Sequence, residues 1–362
     1  IFNIFTFTYK ICYYINNILQ KCEVLYLKRN QHSPQKFLPL LLILLLLYFI
    51  ADYVQEPAKM PVHTDGLAVH FIDVGQADCA LLLCGDEAML IDGGNVADSD
   101  LIYAYLQKHN INHLKYIVDT HAHEDHVGGL AGALNEATID YAFAPVTNYD
   151  SKAFRNYLKY VESQNKKITI PNPGDKLTLG EAEITVLGPL YDYEETNDTS
   201  IVLRVVYGKT SFLFTGDAET EAEEDMLAAG RNLQSTVLKV GHHGSSTSSS
   251  DDFLAAVNPE YAVISCETGN SYGHPHQETM QKLHKAGIAV YRTDLQGTII
   301  AQSDGETITF TPLGPADDGY NYETGEQTYI INTNSLRFHK PNCSGLQDAN
   351  SRNQQSFTGS RD

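Results

Sequence analysis

The sequence predicts a layered α/β domain, and three observations carry that prediction. Short apolar runs rich in Val, Ile and Leu recur between residues 67 and 312. Segments with the apolar spacing of helices fall between them, and Gly-containing turns separate the two kinds. Strand clusters interleaved in this way with helices bury their apolar surfaces when helices cover both outer faces of sheet.

Taken in order, Leu67–Val74, Ala80–Cys84 and Ala88–Ile91 read as strands broken by Gly75 and the Gly85-Asp86 turn, and Gly93-Gly94 ends the third. Asp98–Asn110 sets Leu101, Ile102, Tyr105 and Leu106 on one helical face, and Tyr116–Asp119 is a strand that runs into a histidine cluster. Downstream, helices are expected near 127–135, 151–164, 219–229, 250–257 and 276–286. Strands are expected near 140–144, 183–187, 200–207, 210–215, 236–240, 261–265, 289–292, 298–302 and 307–311. The alternation then gives way to an acidic linker over 313–326 and a small, incomplete module over 327–362. In that module TYIINT is strand-like and RFHKPNC holds His339 and Cys343. A His-x3-Cys pair is half of a structural zinc site, so a small β unit with a buried cysteine is an equal reading.

The chain has 362 residues, 43% of them apolar, enough for one large core or two modest ones. Its formal charge is −20, and residues 1–60 carry six Lys/Arg against three Asp/Glu, so the rest of the chain carries −23. Such a body repels long polyanions, because nucleic-acid binding relies on cations that neutralise phosphates. Bound metal ions can still attract a single phosphate locally. The six cysteines (Cys12, Cys22, Cys79, Cys84, Cys266, Cys343) are scattered and form no CxxC pair, so neither a four-thiolate zinc site nor a disulfide framework is indicated. Cys79 and Cys84 sit in strand-like apolar runs and are expected to be buried.

Phe37–Ile50 is a nearly unbroken apolar stretch within a candidate signal or anchor segment at 37–54, and Lys28, Arg29 and Lys36 precede it. Its 14 residues suit a signal-peptide core better than a full span, although Ala51, Tyr53 and Val54 can extend it. No A-x-A cleavage site follows, which favours an anchor. The basic flank then stays cytoplasmic, and everything after the polar linker at 55–66 lies outside the membrane, whether anchored or secreted.

The chemistry concentrates in T-H-A-H-E-D-H-V-G-G, which follows a strand and precedes a helix. His121 and His123, one residue apart, can place both imidazoles on one ion, while Asp125 and His126 turn back towards a neighbouring ion. Imidazole and carboxylate suit Zn²⁺, and two adjacent metals can activate water and stabilise both attacking and leaving oxygens.

HAHEDH matches the HxHxDH signature of the metallo-β-lactamase fold, and further segments follow in order. FIDVGQADCALL, NDTSIVL, FTGDAE, LKVGHHGSSTS and NSYGHP together resemble the hydrolase domain of ComEC-type competence proteins and their stand-alone relatives, over roughly residues 67–312. The resemblance implies an αββα sandwich with the metals at one edge between the sheets. It implies Asp217 as a metal-bridging carboxylate, although that residue could instead cap the helix after it. His243 becomes the late histidine ligand and His242 a substrate contact or leaving-group acid, with the reverse assignment open. Asp92 supports the ligands. Asn197 stands twenty residues before Asp217, where many dinuclear members supply another histidine, and is the weaker donor.

The implied cofactors are two Zn²⁺ ions, with Mn²⁺ as the alternative. His274, in a Gly-Pro-bracketed loop, positions phosphate or donates a proton, or else is bonded to loop backbone. Ser245, Ser246, Asn270 and Tyr272 are candidate substrate contacts, and the serines could equally begin a helix. Asp73, Gln76 and Asp78 lie in the DVGQAD turn and either orient ligand histidines or serve the turn alone. The resemblance thus implies a metal-dependent phosphodiesterase or nuclease with DNA or oligonucleotide as partner. The alternatives are a hydrolase of the same fold acting on a lactam, lactone, thioester or cell-wall phosphocholine ester, and a metal-containing binding component of a DNA-uptake or surface complex.

Overall fold

The computed structural model describes residues 64–312 without a break, and 314–317, 320–321, 326–333, 335, 337–339 and 353–359 beyond them. The expected anchor at 37–54, residues 55–63 of the linker and Cys343 lie outside the described residues.

The strands that build the main body are β1 (Thr64–Phe71), β2 (Ala80–Gly85), β3 (Glu87–Ile91), β4 (His113–Val118), β5 (Thr138–Phe143), β6 (Ile168–Thr169), β7 (Lys176–Leu179), β8 (Ala182–Gly188), β9 (Val202–Tyr207), β10 (Thr210–Phe214), β11 (Val237–Lys239), β12 (Tyr261–Ile264), β13 (Ala289–Arg292), β14 (Ile299–Ser303) and β15 (Ile308–Thr311). They form two sheets, one in the order β15-β14-β1-β2-β3-β4-β5-β6 and the other in the order β13-β12-β11-β10-β9-β8-β7. Strands pair antiparallel where hairpins join them, as in β1-β2-β3, and parallel where a helix crosses over, as in β10-β11-β12-β13.

Period-two alternation explains the layering. In β1, Leu67, Val69 and Phe71 join a core that also receives Leu203 and Val205 from β9 and Phe212 and Phe214 from β10, so this core lies between the sheets. The opposite faces feed two outer cores. Leu81, Leu83 and Leu90 pack with helices α1 (Ser99–Lys108), α2 (Glu124–Val127), α3 (Leu130–Glu136) and α4 (Lys152–Ser163). Val202, Leu213 and Leu238 pack with α5 (Thr220–Ala228), α6 (Asp251–Val257) and α7 (Gln277–Lys285). Two buried faces are why the strands read as continuous apolar runs. Each fully buried Leu or Phe contributes about 1.5–3 kcal/mol. The architecture is therefore the four-layer αββα sandwich, and Cys79, Cys84 and Cys266 are buried inside it.

Four features escape the sequence pattern. The helix expected over 127–135 is broken into α2 and α3 at Gly128-Gly129. Strand β7, KLTL, is an edge strand whose alternating Lys and Thr are exposed, and β6 has two residues. A one-turn helix, α8 (Thr293–Gln296), follows β13. In the C-terminal region β16 (Tyr320–Asn321), β17 (Glu326–Asn332), β18 (Arg337–His339) and β19 (Gln354–Gly359) form a small antiparallel sheet, with β17 pairing all three others. The first of these strands falls inside the expected linker.

Candidate metal centre

Loops that leave β1, β4, β10, β11 and β12 converge, and both sheets contribute. After β4 the chain turns through His121 and His123 into the single turn of α2, which carries Asp125 and His126. That turn is locked by glycines. Gly93 N–H donates to the His126 carbonyl at 2.7 Å and Gly129 N–H to the Gly94 carbonyl at 3.0 Å. A side chain at Gly129 would collide with the Gly93 carbonyl oxygen. The two glycine pairs of LIDGG and HVGG are thus one interlocked joint that sets the position of His126.

Asp125, His126, Asp217 and His243 bring four donor atoms within 4.8 Å of one another. His126 Nε2 lies 3.3 Å from Asp217 Oδ1, and His243 Nε2 lies 3.2 Å from Asp125 Oδ2 and 3.6 Å from Asp217 Oδ2. His126 Nε2 and Asp217 Oδ1 are buried yet neither makes a hydrogen bond. Buried polar atoms are rarely left so, and two facing orphans among four donors suit a divalent cation. His121 and His123 adjoin this group, with His121 Nε2 3.0 Å from His123 Nδ1 and the His121 and His126 ring centroids 4.1 Å apart. They would begin a second metal position.

The second nitrogen of each inner histidine is engaged, which fixes ring orientation. His126 Nδ1 donates to Asp92 Oδ2 at 2.9 Å, and Asp92 also accepts from Thr120 N–H and Oγ1. His243 Nδ1 donates to the Ser265 carbonyl at 3.0 Å and lies 3.3 Å from Asp78 Oδ1. Asp78 is itself held by buried Lys239, whose Nζ is 2.6 Å from its Oδ2. His242 and His243 adopt φ of 46° and 53°, a left-handed backbone uncommon for residues with a Cβ.

Charge in the cluster is strongly coupled. Burial opposes a charge on His243, but Asp217 and Asp78 outweigh it and raise its pKa to about 10. Burial likewise opposes charge on Asp125, yet His126 and His243 pull it down to about 2. Asp217 is held well below the usual carboxylate range, since His126 and His243 overcome its burial. His121 is driven well below its ordinary value by burial and by His126, and so stays neutral, the form that ligates metal.

A cavity of about 340 Å³ opens on the cluster, lined by Gln76, His123, Asn197, His242, Tyr272 and His274 among others. His242 stands at its edge rather than in the four-donor group. Its Nδ1 meets Glu219 Oε1 at 2.8 Å and its Nε2 is 3.9 Å from Asp217 Oδ2. The geometry thus separates the two adjacent histidines, His243 inside and His242 at the rim. Asp217 does not cap α5, because Asp198 Oδ1 accepts from Glu219 N–H at 2.8 Å and from Ala222 N–H at 3.4 Å. Asn197 donates from Nδ2 to Glu219 Oε1 at 3.1 Å, while its Oδ1 is buried without a partner.

Several candidate residues meet partners other than the cluster or the cavity. Asp73 reaches no histidine of the cluster and instead accepts from Gly75 N–H within its own turn. Asn270 spends its amide on the loop, accepting from His274 N–H and donating to the His274 carbonyl. Ser245 is buried against Thr247, and Ser246 is bonded to His276 through both its N–H and its hydroxyl. Of the four expected substrate contacts only Tyr272, 68% exposed, lines the cavity. Asp78, Lys239 and Glu219 carry the supporting work. A lysine inside the apolar run VLKV was the available signal for Lys239.

Among proteins of known sequence, the chain is 30% identical over 275 residues to ComE operon protein 3 of Bacillus subtilis (strain 168), covering 71% of this chain and 35% of that protein. It is 31% identical over 259 residues to competence protein ComA of Neisseria gonorrhoeae, covering 71% of this chain and 34% of the relative. It therefore spans about a third of the length of these relatives. Among solved structures, the metallo-β-lactamase fold protein YhfI of Bacillus subtilis aligns with a TM-score of 0.43 and 16% identity, covering 63% of this chain and 97% of that chain. Residues 72–268 match the family described as the metallo-beta-lactamase superfamily, and with the sandwich and its histidine-aspartate centre the chain belongs to that superfamily.

Proposed function

We propose that this chain hydrolyses phosphodiesters, with divalent ions held by His121, His123, Asp125, His126, Asp217 and His243. The observation that carries the reading is the pair of further histidines, His242 and His274, which line the cavity without being needed as ligands. Phosphoryl transfer builds charge on several oxygens and needs a proton for the leaving alkoxide, so it has use for both. When bound, the ions supply an activated water nucleophile and offset that charge. Glu219 accepts the Nδ1 hydrogen of His242 and so keeps His242 oriented with Nε2 towards the centre. The cavity of about 340 Å³ accommodates the diester and one neighbouring group. A wider groove beside it is lined by Asp73, Asp98, Glu124 and Glu267, which repel a polyanion running that way. Short oligonucleotides fit this arrangement better than long duplex, and the word competence in the name of the Neisseria relative favours nucleic acid over a cell-wall ester. Zn²⁺ is the favoured ion, with Mn²⁺ the alternative where Asn197 replaces an imidazole.

We also propose that the apolar segment at 37–54 anchors the domain outside the cytoplasm, on the strength of its basic N-terminal flank. Among the described residues no helix is long and apolar enough to cross a membrane.

The test is turnover of bis-p-nitrophenyl phosphate, a short single-stranded oligonucleotide and nitrocefin, each with Zn²⁺, Mn²⁺ or EDTA. Phosphodiester cleavage that EDTA abolishes is expected. Nitrocefin turnover without phosphodiester turnover, or DNA retention without any turnover, would overturn the reading.

A further inference from the structure

Gln76 lies in the turn that follows β1 and links two loops of the cavity wall. Its Oε1 faces the backbone N–H of Glu267 at 3.4 Å. A backbone N–H can only donate, so the oxygen end of the amide is settled by its partner. The other end, Nε2, can also only donate, and it lies 3.2 Å from His274 Nδ1. Nδ1 must then be the acceptor. An imidazole that accepts at Nδ1 is neutral and carries its hydrogen on Nε2.

The rest of His274 is equally constrained. Asn270 holds its backbone N–H and carbonyl at 3.0 and 2.5 Å. The ring stacks on Tyr272, with centroids 5.6 Å apart and planes 20° apart, and on His243 at 6.2 Å and 29°. With Nδ1 spent on Gln76, the polar group that His274 offers to the cavity is the Nε2 hydrogen.

We propose that Gln76 is a positioning residue that locks His274 in the Nε2–H tautomer, so that His274 donates a hydrogen bond to a substrate phosphoryl oxygen on which charge builds in the transition state. The inference rests on the phosphodiesterase reading above and divides the work of the two rim histidines. A neutral imidazole gives a good hydrogen bond but does not surrender its last proton, so His274 holds the substrate oxygen. Proton delivery to the leaving alkoxide then belongs to His242.

Long-range ¹H–¹⁵N correlation spectra of the full chain, labelled at histidine and loaded with Zn²⁺, read the tautomer directly. His274 is expected as Nε2–H. In Gln76→Glu the new carboxylate can only accept, which should shift the ring to Nδ1–H and lower kcat on bis-p-nitrophenyl phosphate about 100-fold, as loss of one oxyanion donor does, with far less change in KM. The wild-type spectrum decides the tautomer even if that variant fails to fold. As a second measure, His274→Gln, whose amide restores a donor near Nε2, should retain more kcat than His274→Leu. A wild-type ring protonated at Nδ1, a tautomer switch without loss of kcat, or equal activity of the two His274 variants overturns the proposal. The Nε2–H tautomer with no phosphodiester turnover counts against the proposed function and leaves the assignment of Gln76 standing.

Discussion

Asp78 shows how much of the centre depends on residues that do not line the cavity. Its two oxygens divide between buried Lys239 and the Nδ1 side of His243, so it neutralises one cation and orients another. A buried ion pair adds little when intact, but removing one partner strands the other charge. Asp78→Asn should therefore lower stability by about 3 kcal/mol or more and weaken metal affinity by about 10–100-fold. Denaturant unfolding and chelator competition measure the two effects separately. The double change Asp78→Leu with Lys239→Met should recover stability without recovering affinity, and recovery of both would show that Asp78 has no part in orienting His243. This is also where sequence reading stops. His121, His123, Asp125 and His126 are legible because they are clustered, and Asp217 and His243 because each closely follows a strand in a recognisable segment. The pairing of Asp78 with Lys239, or of Glu219 with both Asn197 and His242, joins residues whose side chains meet only once the sheets are assembled.

At the scale of elements, strands buried on both faces announce themselves, and each strand expected in the sandwich has a counterpart. The edge strand β7 does not, because its alternating polar positions look like loop. The break between α2 and α3 was hidden for a different reason, since the spacing of apolar residues continues across Gly128-Gly129 and only the contact with Gly93-Gly94 demands the interruption. The packing of α1 on β1 gives a prediction far from the metal centre. His70 of β1 is 5% exposed and bonded to the Tyr105 hydroxyl of α1 at 2.8 Å. Burial, aided by His109, lowers its pKa to about 4. Because the unfolded chain takes up that proton first, the stability contributed by neutral His70 is complete above about pH 6.5 and is lost as pH falls towards 4. Between those limits the loss approaches about 3 kcal/mol. In His70→Gln that loss disappears, so the stability gap between wild type and variant should narrow steadily from pH 7 to pH 4 in equilibrium unfolding. A constant gap would show that His70 does not titrate with unfolding.

For the molecule as a whole, two opposite electrostatic features have to coexist. The chain carries a formal charge of −20, and acidic groups line the groove beside the cavity. The centre nevertheless gathers Asp125, Asp217 and Asp78 around histidines that, without metal, hold protons against that negative charge. Metal ions would take the place of those protons and turn an acidic edge into a local attractor for one phosphate. Net charge was legible in composition, and this inversion was not, because it arises from the geometry of six side chains drawn from three loops. The most direct measurement is turnover of bis-p-nitrophenyl phosphate by chelator-stripped protein as Zn²⁺ or Mn²⁺ is added in known ratio, with bound metal analysed at each step. Activity is expected to be absent at first and to rise with bound metal, and Asp217→Ala should bind less metal and stay inactive. Turnover by the metal-free chain, or full activity in Asp217→Ala, would contradict a metal-dependent hydrolytic centre at this site.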